Sequence, residues 1–368
     1  MMEKIAILGA GNGGFAFSGH LALKGFEVRL YEDPKFGKSI EEVKVKGGIE
    51  VSGVIKGFGK VALASTDIAS VLAGVKVVMI TVPAFAQRIM FEAALPYLED
   101  GQIIVFWPGN FGEILAKKIM KEKGVSKDIK LAGTASLIYA AHKIGTNTNK
   151  VEIFAEKVAM PIACLPALDT LNVIKVLKEI IPQISSAKNV LEIGLMNVNM
   201  VIHCGGAILN AGWIEYTKGD FEFYWHGMTE SVCRVLEKID EERIAVCKAL
   251  GFKRISLLDL LNEWYPTEKG ETLYEFVAHS RAHGGGQPGR WSKSLTSPAI
   301  SEDVNVGLVF TSSIGKILNV QTPTMDSLIC LASTLNKKDY CKTGRNLKYL
   351  GLSGMSKEEI INYVNTGK

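Results

Sequence analysis

Lys4-Ile5-Ala6-Ile7-Leu8-Gly9-Ala10-Gly11-Asn12-Gly13-Gly14 opens the chain and decides its fold. An apolar run of strand length feeds Gly9-x-Gly11-x-x-Gly14, and a small-residue helix is expected from Gly13 to about Lys24. A second strand, Glu27-Val28-Arg29-Leu30-Tyr31, then stops at Glu32. Each part has a physical role. Gly9 permits a tight turn, Gly11 lets the backbone approach a pyrophosphate, and Gly14 lets helix and strand pack closely. The N–H groups at the helix start, Asn12 and Gly13 among them, favour phosphate anions together with the positive end of the helix dipole. Glu32 lies about 20 residues further on, where its carboxylate accepts a hydrogen bond from a ribose 2′-hydroxyl and repels a 2′-phosphate. The pattern implies a bound NAD rather than NADP, and Arg29, a mid-strand cation, weakens that preference only slightly. A turn that used its glycines for packing alone would leave Glu32 a coincidence.

Composition bounds the rest. The 368 residues are long enough for two domains, and 47% hydrophobic with 22% charged residues describes a globular chain with a substantial core. A net charge of +4 is modest, and its lysines and arginines are scattered, which argues against a nucleic-acid partner. The chain enters a strand at once, without a signal-peptide layout. Val75–Ala86 carries Lys76 and is broken by Pro83, so no membrane partner is expected. The six cysteines (164, 204, 233, 247, 330 and 341) form no CxxC pair and no metal-like spacing with histidine. Most are expected to be small core residues in a reducing cytoplasm, with no metal bound.

From residue 1 to 187 short β-branched runs alternate with helical patterns, the mark of a doubly wound, mostly parallel α/β sheet of Rossmann type. Strands are expected at Val61–Ala64, Val75–Val82, Gln102–Trp107 and Ile129–Ala135, then at Val151–Ala155 and Val158–Leu165. Helices are expected at Ala84–Tyr97, Phe111–Glu122 and Asp169–Ile180. Val82 and Pro83, at a strand's C-terminal end, are candidate cofactor contacts, because open α/β sheets place their ligand crevice there. Trp107-Pro108-Gly109-Asn110-Phe111-Gly112 forms a second such loop.

Residues 188–368 read as an all-α domain. One long helix is expected over Asn189–Thr217 and another over Tyr224–Leu250. Further helices are expected at Leu257–Trp264, Thr272–Ser280, Val304–Leu318, Thr324–Leu335 and Lys357–Asn365. The segment Ala282-His283-Gly284-Gly285-Gly286-Gln287-Pro288-Gly289 reads as a loop. On the first helix Asn199, His203, Gly206 and Asn210 share one face, polar groups that need partners or a cavity. His203 is either a satisfied core histidine or a general acid/base suited to neutral pH.

The run Glu192-x-x-Leu195-Met196-Asn197-x-Asn199-x-x-x-His203, with Leu209-Asn210-Ala211-Gly212-Trp213-Ile214-Glu215, resembles the opine dehydrogenase family of octopine and nopaline dehydrogenases. Ser301-Glu302-Asp303-Val304-Asn305-Val306-Gly307-Leu308 and Thr322-Pro323-Thr324-Met325-Asp326 are similar to two further segments of that family. The resemblance implies a catalytic dyad of His203 and Asp303, with the carboxylate orienting the imidazole. It implies the reductive condensation of an amino acid with an α-keto acid through an imine, using NAD, to an opine conjugate. It also implies Asn110, Thr134 and Ser136 as substrate contacts, beside the candidates Asn199 and Arg290, with monomer and homodimer both open. The chain departs from the family pattern at Pro298, where the family places an arginine that can clamp a carboxylate, and at His142, also arginine in relatives. Arg290, Lys293 or Arg281 would have to supply the cation.

Two other classes stay in view. A 2-hydroxy acid or glycerol-phosphate-like dehydrogenase would reduce a ketone, and several place a lysine on the linking helix. Here Lys188 precedes that helix and the next lysine is Lys218, which argues against the lysine type. A dinucleotide sensor without catalysis would bind the cofactor and turn nothing over.

Overall fold

The structure, a computed structural model, describes residues 3–280 and 294–368. Two compact units form: one runs to Ile193 and takes back Val364–Gly367, the other spans Gly194–Tyr363 with Lys368.

The first unit is built on an eight-stranded sheet. Its strands are β1 (Lys4–Leu8), β2 (Glu27–Tyr31), β5 (Leu63–Ser65), β6 (Val77–Ile80), β7 (Ile103–Phe106), β8 (Lys130–Thr134), β11 (Met160–Leu165) and β12 (Ile184–Ser186). The order is β12-β11-β8-β7-β6-β1-β2-β5, and every pairing is parallel except β8 with β11. Strands β6 and β7 are buried on both faces, which is why they read as unbroken apolar runs rather than alternating ones. The Rossmann expectation holds, with most strand ends trimmed by one or two residues, β5 shifted to end at Ser65 and β12 not expected.

A second sheet, order β4-β3-β10-β9, was legible only in part: β10 (Lys150–Glu156) answers the strand expected at Val151–Ala155, whereas β3 (Gly48–Gly53), β4 (Gly57–Lys60) and β9 (Tyr139–Lys143) were not expected. It packs on α1 (Asn12–Leu23), so that helix is buried almost all round between two sheets, and this explains its small, apolar composition. A Cβ on Gly19 would lie 2.5 Å from Val51 Cγ2, the closeness this packing demands.

On the same face His20 Nδ1 lies 2.9 Å from the Tyr139 hydroxyl. Burial, aided by the charge of Lys24, lowers the His20 pKa from 6.5 to about 4. The folded chain therefore keeps this imidazole neutral where the unfolded chain binds a proton. Its contribution, about 2–3 kcal/mol, is present above pH 6.5 and is lost as pH falls from 6.5 toward 4. Urea unfolding across that window should show a steep loss of stability that His20→Gln flattens; equal slopes in both proteins would remove His20 as the cause.

The second unit is helical, as expected, but its first helix is not continuous. Val190–Leu195, Asn199–Leu209 and Ala211–Thr217 replace the single span Asn189–Thr217. Asn197 Oδ1 accepts the Asn199 N–H at one break, and Asn210 closes the other by donating to the carbonyls of Gly206 and Gly227, both at 2.9 Å. Asparagine side chains compete with the backbone ladder, a local cost that hydrophobic periodicity does not register. Val190–Leu209 is apolar and long enough to cross a membrane by composition, yet 83% of its window is buried within the protein, as in a core helix. The expected helix Tyr224–Leu250 starts only at Glu230, with Thr229 as its N-cap. The helix expected from Val304 is a π-helical stretch, Val304–Leu308, running into an α-helix, Val309–Ile317.

Candidate functional site

The glycine loop joins β1 to α1, and its three glycines are required for three different reasons. Gly9 has φ +107°, and a Cβ there would lie 2.5 Å from Val82 Cγ1. A Cβ on Gly14 would overlap the Gly9 carbonyl oxygen. Gly11 is unlike both: its backbone is extended (φ −76°, ψ −167°), and a Cβ there would meet nothing within 4 Å. No packing within the described residues demands glycine at 11. The open space faces the start of α1, which has no side-chain cap and no acid in its first turn. Uncapped N–H groups beside an open cradle suit a diphosphate, so these residues fit a dinucleotide.

Glu32 is placed by the end of β2 and is only half-exposed. Its Oε2 accepts the Ala10 N–H at 2.9 Å and its Oε1 accepts the Asp33 N–H at 2.8 Å. Burial raises its pKa, and the two backbone donors and Lys143 oppose the rise. The carboxylate thus props the glycine loop and retains lone pairs for a ribose hydroxyl. Glu32→Ala is expected to narrow the preference for NADH over NADPH by about tenfold, through loss of charge repulsion at the 2′ position. Fluorescence titration with both nucleotides reads this, and an unchanged ratio would assign the ribose to another group. Arg29 takes no part in reading the ribose, because its guanidinium binds Glu27 and the carbonyls of Ser70 and Ala73. Val82 abuts Gly9, while Pro83 is exposed as the N-cap of the helix Ala84–Ala94.

Asn110, Thr134 and Ser136 gather at the C-terminal ends of β7 and β8, and all three are buried. Thr134 Oγ1 donates to the Ser136 carbonyl at 2.9 Å, and the Gly109 N–H donates to the Thr134 carbonyl. Asn110 (φ +50°) and Phe111 (φ +62°) occupy the left-handed region in succession, a strained turn of the kind found near ligand sites. The Thr134 hydroxyl is turned inward to shape this loop.

In the helical unit His203 and Asp303, 100 residues apart in sequence, come together: Nδ1 of the imidazole lies 2.8 Å from Asp303 Oδ2. Their side chains are 18% and 9% exposed. The helix Asn199–Leu209 carries the histidine, and the carboxylate sits immediately before the π-helical stretch. Those two segments approach closely because Gly307 seats against Met200, where any Cβ would collide with the methionine side chain. Thr311 reaches across the same junction, its hydroxyl lying 3.6 Å from Met200 Sδ. π-helical turns inside helices occur frequently at functional sites.

The sequence did not single out Tyr224, whose hydroxyl lies 3.0 Å from His203 Nε2. Burial pushes this phenol's pKa well above its usual value, so it is a hydroxyl donor at neutral pH. Since Asp303 accepts from Nδ1–H, Nε2 is left as the acceptor for the Tyr224 O–H. The only signal for Tyr224 was its place in the aromatic run Phe221-Glu222-Phe223-Tyr224-Trp225. Gly206 lets Phe223 and Met228 approach, which seats the turn carrying Tyr224 against the histidine helix. Asn199 lies one turn before His203 on that helix, whereas Asn210 serves as its cap. Cys204, beside the dyad, is buried with its thiol pKa pushed well up, so it is inert. Thr322-Pro323-Thr324-Met325-Asp326 is a clasp: the Thr324 and Met325 N–H groups donate to the Glu242 carboxylate, and Asp326 accepts from Ser312. Pro298 opens the short helix Pro298–Ser301. Arg290, Arg281 and Lys293 lie outside the described residues. No cluster of three metal-binding side chains occurs among the described residues.

Residues 186–336 match the family model described as NAD/NADP octopine/nopaline dehydrogenase, alpha-helical domain. Residues 4–130 match the NAD-dependent glycerol-3-phosphate dehydrogenase N-terminus. An opine dehydrogenase of Arthrobacter sp. (strain 1C) is 34% identical over 357 residues, 95% of this chain and 96% of its own. An octopine dehydrogenase of Pecten maximus is 24% identical, covering 94% of this chain and 93% of its own. The solved structure of an octopine dehydrogenase in complex with NADH and agmatine is similar with a TM-score of 0.76 at 22% identity, over 100% of this chain and 98% of that one. At that identity the likeness is one of fold.

Proposed function

The chain belongs to the opine dehydrogenase family, NAD(P)-dependent oxidoreductases acting on CH–NH donors, and from that premise we propose that it reductively condenses an amino acid with an α-keto acid. The amine and the keto carbonyl lose water to form an imine. The imine carbon accepts hydride and its nitrogen accepts a proton, giving a secondary-amine dicarboxylate. NADH held at the glycine loop supplies the hydride when bound.

The chain's own residues manage the proton and the positioning. The observation that carries the reading is the 2.8 Å contact of His203 Nδ1 with Asp303 Oδ2. Asp303 holds the imidazole in one tautomer and stabilises its protonated form, so Nε2 is the atom that gives or takes a proton. In the oxidative direction Nε2 takes the proton of the secondary amine. Tyr224 is a positioning residue: its O–H donates to the one lone pair of Nε2, fixing the ring from the side opposite Asp303, and gives up that position to the substrate nitrogen when Nε2 exchanges its proton. Asn110, Thr134, Ser136 and Asn199 are the proposed substrate contacts within the described residues, with Arg290 proposed for a carboxylate in place of the arginine missing at Pro298.

The ketone-reducing alternative shares the N-terminal match over residues 4–130, but the helical match over residues 186–336 favours the opine reading. The deciding assay is NADH oxidation by the purified chain against a matrix of amino acids and α-keto acids, each also tested alone, with products identified by mass spectrometry. Oxidation that requires both partners and yields their conjugate supports the proposal and names the substrates. Oxidation with a keto compound alone moves the chain to the ketone-reducing class, and NADH binding without turnover across the matrix favours the sensor.

A further inference from the structure

The second sheet delivers a lysine to the glycine loop. Strand β9 runs back along α1, so that Tyr139 lies against Phe17 and His20 while Lys143 reaches Asn12 and Phe15 at the helix start. The Lys143 backbone N–H donates to Asn12 Oδ1 at 3.0 Å. Its ammonium donates to the Ala10 carbonyl at 3.2 Å and stands 3.8 Å above the centre of the Phe15 ring. We infer that Lys143 is a coenzyme-binding residue whose ammonium meets the pyrophosphate at the start of α1.

Three features support this. The stem of Lys143 is half-buried and its head is held by a carbonyl and an aromatic face, neither of which neutralises a positive charge. Glu32 acts on it through space, and both Glu32 oxygens are engaged by the backbone N–H groups of Ala10 and Asp33. The ammonium has three hydrogens and, among the described residues, one hydrogen-bond acceptor, Ala10. The Glu32 carboxylate beside the loop would by itself repel a diphosphate; an ammonium held on the Ala10 carbonyl of the same loop offsets the repulsion locally. Burial lowers the lysine's pKa and Glu32 counters this, so a dianionic diphosphate would further favour the protonated form. The strand–turn–helix motif supplies only backbone donors; the full charge comes from a residue about 130 positions later, on a different sheet.

The test uses the full-length chain and equilibrium binding, with no turnover required. NADH is titrated by fluorescence, with ADP-ribose and adenosine as competing probes that carry and lack the pyrophosphate. Lys143→Met is expected to weaken NADH and ADP-ribose by about tenfold or more, the scale of one charge-assisted hydrogen bond, while adenosine binding is unchanged. Lys143→Arg should recover much of the loss, and the gap between wild type and Lys143→Met should shrink with added salt. The ratio of ADP-ribose to adenosine affinity within each variant does not depend on the fraction folded, so a poorly folding variant still reports. An unchanged ratio in Lys143→Met and Lys143→Gln overturns the inference, as does an equal loss for both probes, which would mean that Lys143 only shapes the loop.

Discussion

Alanine at position 203 should lower turnover by at least about 100-fold, the scale of general acid–base catalysis, in both directions of the reaction. NADH affinity should stay within twofold of wild type, because the glycine loop, Glu32 and Val82 all belong to the other unit. A structural histidine would give a different pattern. His203 is only 18% exposed, so removing a merely structural imidazole would cost the Asp303 carboxylate its Nδ1 bond and show first as a fall in melting temperature. Two companion variants separate the roles. Asp303→Asn keeps the volume but offers an N–H where Nδ1 needs an acceptor, which inverts the tautomer; its loss should match or exceed that of His203→Ala. Tyr224→Phe removes one hydroxyl from Nε2 and leaves the ring, so its loss should be nearer tenfold. Steady-state rates with the substrates found in the assay, alongside thermal melts, provide both readouts. Undiminished turnover in His203→Ala with a native melt would remove the dyad from the chemistry.

What could be read from the sequence tracks how local each feature is. The β1–loop–α1–β2 unit is contiguous, so glycine spacing, apolar runs and the acid at 32 announced it together. The second sheet brings β3 beside β10, partners about 100 residues apart, and its strands contain Gly48, Gly53, Gly57 and Gly59, which read as loop. Two of them serve α1, Gly57 against Leu23 and Gly59 against the Gly19 backbone, while Gly48 and Gly53 face neighbouring strands, contacts that only the assembled layers reveal. Lys143 and the His20–Tyr139 pair were hidden for the same reason. His203 and Asp303 were linked by family resemblance, whereas their geometry depends on Gly307 seating on Met200 across 107 positions. Asn197 and Asn210 broke the long helix through side-chain to backbone bonds. Tyr224 was hidden inside an expected helix that starts six residues later.

Valine at position 11 is expected to abolish coenzyme binding and leave the fold intact, a pairing that glycine positions rarely allow. The backbone at Gly11 is extended, a conformation any residue adopts, and its Cβ would point into space with no atom within 4 Å. The folded chain therefore loses only the modest advantage of glycine over valine as an N-cap, under about 1 kcal/mol. A chain of this size would melt within a few degrees of wild type. Yet the three added carbons occupy the approach to the first N–H groups of α1, where a diphosphate would need to come within hydrogen-bonding distance. The NADH Kd should rise at least about 100-fold, since both steric exclusion and loss of the backbone donors act on the most strongly charged part of the ligand. Gly14→Ala is the contrasting control. Its single methyl collides with the Gly9 carbonyl, so it should lower the melting temperature first and affinity as a consequence. Thermal melts and NADH titrations on the two variants place the glycines in separate classes, one held by the ligand and one held by the fold. If Gly11→Val binds NADH within about threefold of wild type, the open space at the helix start is not where the pyrophosphate lies, and the assignment of Lys143 fails with it.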